Sequence, residues 1–300
     1  MTTTTTEPAT GFAIERTLEL QASPDRVWRA LTDPAEIASW FGTAADELAE
    51  VGATGWFGFD DEGRFAVRLE AIDPGRFLAW RWAEERDTAL DDGPTSLVEW
   101  TVEPAPGGGT RLHLRESGLR TGRNLEMNTA GWFIELAELR EHLAVEPWQR
   151  PIRRRLELRA DRHRVWRALS DDGELRTWWG LRMPVVVEPG WEGWFDFPDY
   201  GRHAVRIEVV EPPRYLAWRW TADEPDVPIA DVRQPLVTEW LLEERDGGGT
   251  TLHLTESGFT GPAKYEDNVN GWTDEVLPNL VRLVDGDVTT AEGPVAPAAE

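Results

Sequence analysis

Residues 16–22 read RTLELQA, polar and apolar in alternation, the period of a half-buried strand. Ser23 and Pro24 then supply an N-cap and a proline suited to the first helical position, and Val27, Trp28 and Leu31 predict a helix behind them. DPAEIASWFG predicts a second short helix stopping at Gly42, which makes a helical pair of about 18 residues. Alternation then returns in GWFGF, RFAVRLEAI, RFLAWRW, SLVEWTVEP and TRLHLRES, with DPG and PGGG as intervening turns. Links this short join antiparallel neighbours. In NTAGWFIELAELREHL the period changes: Trp132, Leu136, Leu139 and Leu143 share one helical stripe. A sheet that must bury one face and a single long amphipathic helix able to cover it predict an α+β fold.

The whole pattern is written twice. Residues 14–42 and 152–180 agree at sixteen of 29 positions, in a register of 138. RFLAWRW at 76–82 returns as RYLAWRW at 214–220. After Trp82 the register becomes 140, so that HLRESG at 113–118 matches HLTESG at 253–258 and Gly131-Trp132 matches Gly271-Trp272. Seven tryptophans pair across the copies, leaving Trp148, Trp179 and Trp191 alone. A period this long marks a duplicated domain, because solenoid units run about 20–50 residues. The expected organisation is a tail at 1–10, a domain at 11–146, a linker at 147–151 where two prolines interrupt any helix, a second domain at 152–285 and a tail at 286–300. Both tails are too poor in apolar residues to pack and read as disordered.

Composition narrows the function. A formal charge of −24 repels polyphosphate, which argues against a nucleic-acid partner. No run of about 18 apolar residues exists, so membrane insertion is not expected. The opening MTTTTTEPAT has neither the basic nor the apolar part of a signal peptide, which makes a cytoplasmic location the expectation. Zero cysteines exclude disulfides, thiolate metal sites and a cysteine nucleophile.

The element order, together with VWRALTDPAEIASWFG, LAWRW and the spaced ESG, GW and leucines near the end of each copy, resembles the START-like (SRPBCC) superfamily. Within it the chain is most similar to the family named after the activator of heat-shock protein 90 ATPase homologue. The resemblance covers about 135 residues of each copy. It implies a helix-grip fold, two tandem domains each with a curved antiparallel sheet wrapped around a long C-terminal helix and an apolar cavity between them. Members of the superfamily bind lipids, sterols or polyketides, and some cyclise or hydrolyse them.

Candidate residues follow from the repeat. Trp100, Trp132, Trp240 and Trp272 could wall a flat apolar pocket, their buried indole nitrogens normally finding an acceptor; ordinary core packing is the other reading, and the favoured one for Trp28 and Trp166. Glu116 and Glu256 stand two residues beyond Leu114 and Leu254, on the same side of the strand. At the rim of an apolar cavity such a carboxyl would have a raised pKa and could anchor a ligand or act as acid or base; a solvated strand end or an arginine partner is the alternative. Alternation leaves open which way Glu99, Glu239, Arg68, Arg81, Arg206 and Arg219 face. Asn128 and Asn268 suit a cap or turn at the start of the last helix, where Gly131 and Gly271 suggest close backbone approach. His113 and His253 do not share the side of their leucine neighbours, and no metal-binding spacing, nucleophile elbow or nucleotide loop occurs.

No catalytic residue, metal or cofactor is therefore expected. The reading is a soluble, non-catalytic binding protein holding a small hydrophobic molecule between sheet and C-terminal helix through Trp100, Glu116, Trp132, Trp240, Glu256 and Trp272. A protein-interaction or co-chaperone-like module is the first alternative. A cyclase- or hydrolase-type enzyme using a cavity glutamate is the second. RTWWG and the additional Trp191 in the second copy hint at a pocket of different shape.

Overall fold

The computed structural model describes residues 11–60, 63–105, 108–221, 225–232 and 234–286. The tail at 1–10, the tail at 286–300 beyond Gly286, and Pro106-Gly107 of the PGGG turn lie outside the described residues. The chain divides into two compact units at Pro151/Ile152, with the short stretch Ser257–Thr260 grouped with the first.

Domain 1 runs β1 (Phe12–Leu20), α1 (Pro24–Thr32), α2 (Pro34–Trp40), β2 (Ala44–Ala45), β3 (Thr54–Phe59), β4 (Gly63–Asp73), β5 (Phe77–Ala83), β6 (Thr95–Pro104), β7 (Thr110–Leu119) and α3 (Gly122–Leu143). The seven strands form one antiparallel sheet in the order β1-β7-β6-β5-β4-β3-β2, so the helical pair interrupts the chain between the two edges. Domain 2 repeats this with β8 (Ile152–Leu158), α4 (Arg162–Ser170), α5 (Asp172–Trp179), β9 (Glu192–Phe197), β10 (Gly201–Glu211), β11 (Tyr215–Trp220), β12 (Leu236–Glu244) and β13 (Thr250–Ser257), ordered β8-β13-β12-β11-β10-β9. Its last helix is in three pieces: α6 (Pro262–Asn270), a π-helical turn (Gly271–Val276) and α7 (Leu277–Asp285). Both domains are α+β helix-grip folds, in tandem. Among the described residues no helix is long and apolar enough to cross a membrane.

The repeated words have structural reasons. Ser23 and Asp161 cap α1 and α4 by accepting from Arg26 N and Arg164 N, so the cap survives the loss of proline in the second copy. Trp40 and Trp178 donate their indole N–H to the carbonyls of Ala30 and Ala168, at 2.9 and 2.8 Å, and fasten each helical pair to itself. In LAWRW the period of two sends Leu78 and Trp80, or Leu216 and Trp218, into the core. The arginine after that tryptophan, Arg81 or Arg219, faces the opposite way. Arg68 and Arg81 both bind Glu70, and Arg206 and Arg219 both bind Glu208, in ladders across the outer sheet faces. Glu99 is likewise on the outer face, where it accepts from Arg115, while Glu239 is buried and accepts from Tyr215 and Thr255. Gly109 and Gly249 open β7 and β13 so close to the carbonyls of Leu20 and Leu158 that a Cβ would collide with them.

Three expectations need correction at the last helix. α3 starts at Gly122, capped by Thr121, so Asn128 lies inside the helix; Asn268 likewise lies inside α6. Neither is a cap or turn residue. Gly131 and Gly271 make no close backbone approach, because no atom stands within 4 Å of the Cβ either would carry.

Candidate functional site

Leu112 and Leu114 face the core of domain 1, and two residues on Glu116 follows them inward with no exposed surface. Its Oε1 accepts from Ser96 Oγ at 2.6 Å, Asn128 Nδ2 at 2.8 Å and Trp82 Nε1 at 3.3 Å, while Oε2 accepts from Trp132 Nε1 at 2.6 Å. Strands β5, β6 and β7 and helix α3 are thus joined at one carboxylate by four neutral donors. One helical turn before Asn128, the Asn124 amide donates to Glu84. Burial raises the Glu84 pKa, Arg120 opposes that, and the charge on Glu116 adds to it.

Glu256 occupies the same place in domain 2, again fully buried. It accepts from Trp220 Nε1 at 3.1 Å, Thr238 Oγ1 at 2.9 Å and Trp272 Nε1 at 2.7 Å. The fourth donor is absent, because Asn268 turns its amide to the carbonyl of Lys264 at 2.9 Å. Burial pushes the Glu256 pKa up to about 7 against the lowering effects of Trp272, Thr238, Trp220 and the charge of Lys264. No arginine contributes to lowering it.

The helix above Glu256 explains the further difference. Pro278 stands where a simple repeat would put Glu138, and a proline has no N–H to return to the carbonyl four residues earlier. The chain takes a π-helical turn over Gly271–Val276, and Leu277 N–H donates five residues back to the Trp272 carbonyl. A π turn accommodates one extra residue. At its start, Trp132 and Trp272 correspond at a spacing of 140, each 3% exposed. Beyond it, Leu136 and Leu139 correspond in burial to Leu277 and Leu280, at 141. Arg26 and Arg164 keep the same step, since they donate to the carbonyls of His142 and Leu283.

Beside this turn lies a cavity of about 910 Å³, whose walls include Trp179, Trp220, Trp272, Phe197 and Tyr200. Trp179 lies against Trp272 with ring centroids 5.7 Å apart at 40°. In domain 1 the corresponding Phe41 stacks flat on Trp132, 5.4 Å apart at 12°, and Phe65 packs at 5.3 Å on Trp82. A small cavity of about 40 Å³ in domain 1 is elsewhere, between Trp80 and Leu31.

Of the six residues singled out from sequence, only Trp272 borders the large cavity directly. Glu256 sits behind Trp220 and Trp272, donors to its carboxylate and walls of the cavity. Trp100 and Trp240 are wholly buried and pack edge-to-face on Trp132 and Trp272, at 5.5 and 5.6 Å. Contrary to expectation, their indole nitrogens, and those of Trp80 and Trp218, have no hydrogen-bond acceptor among the described residues. Edge-to-face packing gives an N–H a ring face in place of an oxygen. Sequence reasoning missed Trp220, Phe197 and Tyr200 as cavity walls; Trp179 was visible as the second tryptophan of RTWWG. Trp191 lies over Gly193 instead of in the cavity wall. Among the described residues no group of three or more His, Asp or Glu could hold a metal ion.

The sequence profile of the family described as "Activator of Hsp90 ATPase homolog 1-like protein" matches residues 21–144 and again residues 159–285. No curated protein matches the chain. Among solved structures, DynU16, a protein in the dynemicin biosynthetic locus, is 20% identical over 91% of this chain and 97% of its own, with a TM-score of 0.39. The di-domain ARO/CYC StfQ from the steffimycin biosynthetic pathway is 14% identical over the same shares of the two chains, with a TM-score of 0.37. Protein MLL2253 from Mesorhizobium loti is 25% identical over 44% of this chain and 96% of its own, with a TM-score of 0.40.

Proposed function

The chain belongs to the Activator of Hsp90 ATPase homolog 1-like protein family in both of its halves, and from that premise we propose that it is a non-catalytic binding protein whose second domain holds a small, largely apolar molecule between sheet and C-terminal helix. The observation that carries this reading is the aromatic-walled cavity of about 910 Å³ at the π turn. Its volume suits a small-molecule ligand, since such sites run about 300–1,000 Å³ and are lined mainly by apolar and aromatic groups. Domain 1 serves as a filled scaffold in this reading, its Phe41 and Phe65 packed where domain 2 is open.

Trp272 contacts the ligand directly. Glu256 positions the two indoles that form one wall. In domain 1, Glu116, Trp100 and Trp132 hold helix to sheet. A second reading, an enzyme of cyclase or hydrolase type, draws on the Glu256 pKa of about 7, which suits an acid or base at neutral pH. Its carboxyl has no exposed surface, so that reading requires Trp220 or Trp272 to move.

Native mass spectrometry of the purified full chain tests the proposal. One bound apolar molecule per chain is expected, released on denaturation, and lost from Thr177→Trp, which fills the cavity from an exposed helix position at its wall. A bare chain whose tryptophan fluorescence is also indifferent to N-phenyl-1-naphthylamine would sink it. Turnover abolished in a folded Glu256→Gln variant would favour the enzyme.

A further inference from the structure

Several carboxylates on the helical pairs and outer sheet faces are matched with arginine: Glu36 holds Arg26 and Arg29, Glu174 holds Arg164 and Arg167, and Glu70 and Glu208 each hold two more. At the cavity mouth stand Asp199, Asp267, Asp274 and Glu275, all exposed, none with a hydrogen bond or ion pair among the described residues. Among the described residues no arginine borders the cavity. Lys264, the one lysine of the chain, is the only Lys or Arg among the described residues that line the cavity, beside four carboxylates. His203 points its ring nitrogens at the backbone carbonyls of Thr221 and Tyr200.

The deep end adds a second, independent preference. Trp220 and Trp272 donate their indole N–H groups to the Glu256 carboxylate, while their rings border the cavity. Aromatic faces attract cations through the ring quadrupole, most strongly for tryptophan. Where Glu256 is ionised, donation to it makes an indole ring more electron-rich and strengthens that attraction. A bound anion would meet four carboxylates against one ammonium; a bound cation meets the reverse.

Resting on the binding reading above, we infer that the ligand is an aromatic or otherwise apolar molecule carrying a positive charge, such as a protonated amine or a quaternary ammonium. Its apolar body lies against Trp179, Trp272 and Phe197, and its positive group lies near the carboxylates of the mouth and the faces of the indoles.

Three probes matched in ring and size test this on the full chain: 1-naphthylmethylamine, 1-naphthylmethanol and 1-naphthoate, titrated by calorimetry and by tryptophan fluorescence. The amine is expected to bind at least about tenfold more tightly than the alcohol, with naphthoate weakest, and to weaken as salt is added. Asp267→Asn/Asp274→Asn/Glu275→Gln removes three exposed charges at the mouth and should erase the advantage of the amine. Glu47→Gln/Glu50→Gln/Asp60→Asn makes the same change in net charge on exposed residues of domain 1 and should preserve it. Equal or tighter binding of the alcohol, or an advantage of the amine that survives the mouth variant, overturns the charge preference. The cavity reading still stands in that case if Thr177→Trp weakens all three probes. Saturable binding of none of them overturns both.

Discussion

Glu116 and Glu256 occupy one position in two copies of the same fold, yet they meet different surroundings. Four donors surround the first, and a continuous helix closes over it. Three donors surround the second, beneath a helix that breaks its own ladder at Pro278 and borders an aromatic-walled cavity. The comparison separates what the fold needs from what a site needs. A buried carboxylate joining strands to the last helix is common to both domains and is therefore part of the scaffold. The π turn and the freed asparagine belong to one domain alone, the one whose aromatic-walled cavity borders the turn.

Removing the hub should give the largest effect. Glu116→Leu leaves four donors, those of Ser96 and Trp132 buried, without an acceptor and should cost domain 1 about 4 kcal/mol in urea denaturation followed by tryptophan fluorescence. Glu256→Leu leaves three donors and discards a carboxyl that is itself costly to ionise, so it should lose less above neutral pH. Equal losses would break the comparison.

Next in size is the pH dependence of domain 2. The folded Glu256 holds its proton more tightly than the unfolded chain does, with a pKa raised from 4.5 to about 7. Its contribution to stability is therefore full below pH 4.5, declines as pH rises through about 7, and is absent above. The span is about 3 kcal/mol. Thermal melts between about pH 5 and pH 8 should show this slope in the parent and not in Glu256→Gln. Parallel profiles would remove Glu256 as its source.

The asparagines sharpen the contrast one bond at a time. Asn128→Ala removes a hydrogen bond to a buried carboxylate and should cost about 2 kcal/mol. Asn268→Ala, which gives up only a bond along its own helix, should stay within about 0.5 kcal/mol. Pro278→Ala acts in the opposite direction, since it restores an N–H and should stabilise domain 2 by about 1 kcal/mol. Hydrogen exchange should slow across residues 274–280, and the cavity should take naphthyl probes less well.

Most of the fold was legible because strand alternation and the caps of the helical pairs are local signals. Ser23, Asp161 and the DPG turn act within a few residues of themselves. The inward turn of Glu116 and Glu256 followed from two leucines and a period of two. What escaped was decided across the fold. The true start of α3 lies in GRNLEM, a polar first turn with little apolar period, held by Thr121 and by the reach of Asn124 to Glu84. The facing of Glu99 depended on whether its neighbour Trp100 packed on Trp132, a contact with the last helix. The cavity had a visible signal in Pro278, but its consequence emerges only when the helix is laid on the sheet and must keep Trp272 and Leu280 buried together.

The one-residue surplus in the π turn has a genetic meaning. The fastenings on either side of it, Trp272 to Glu256 and Leu283 to Arg164, match those of the first copy once a single position is added. The last helices of the two domains thus differ in length by one residue between matching fastenings, the smallest change of length a gene can undergo. In a duplicated gene that step leaves the unaltered copy intact, and deleting any one residue of 273–276 together with Pro278→Glu would be the route back.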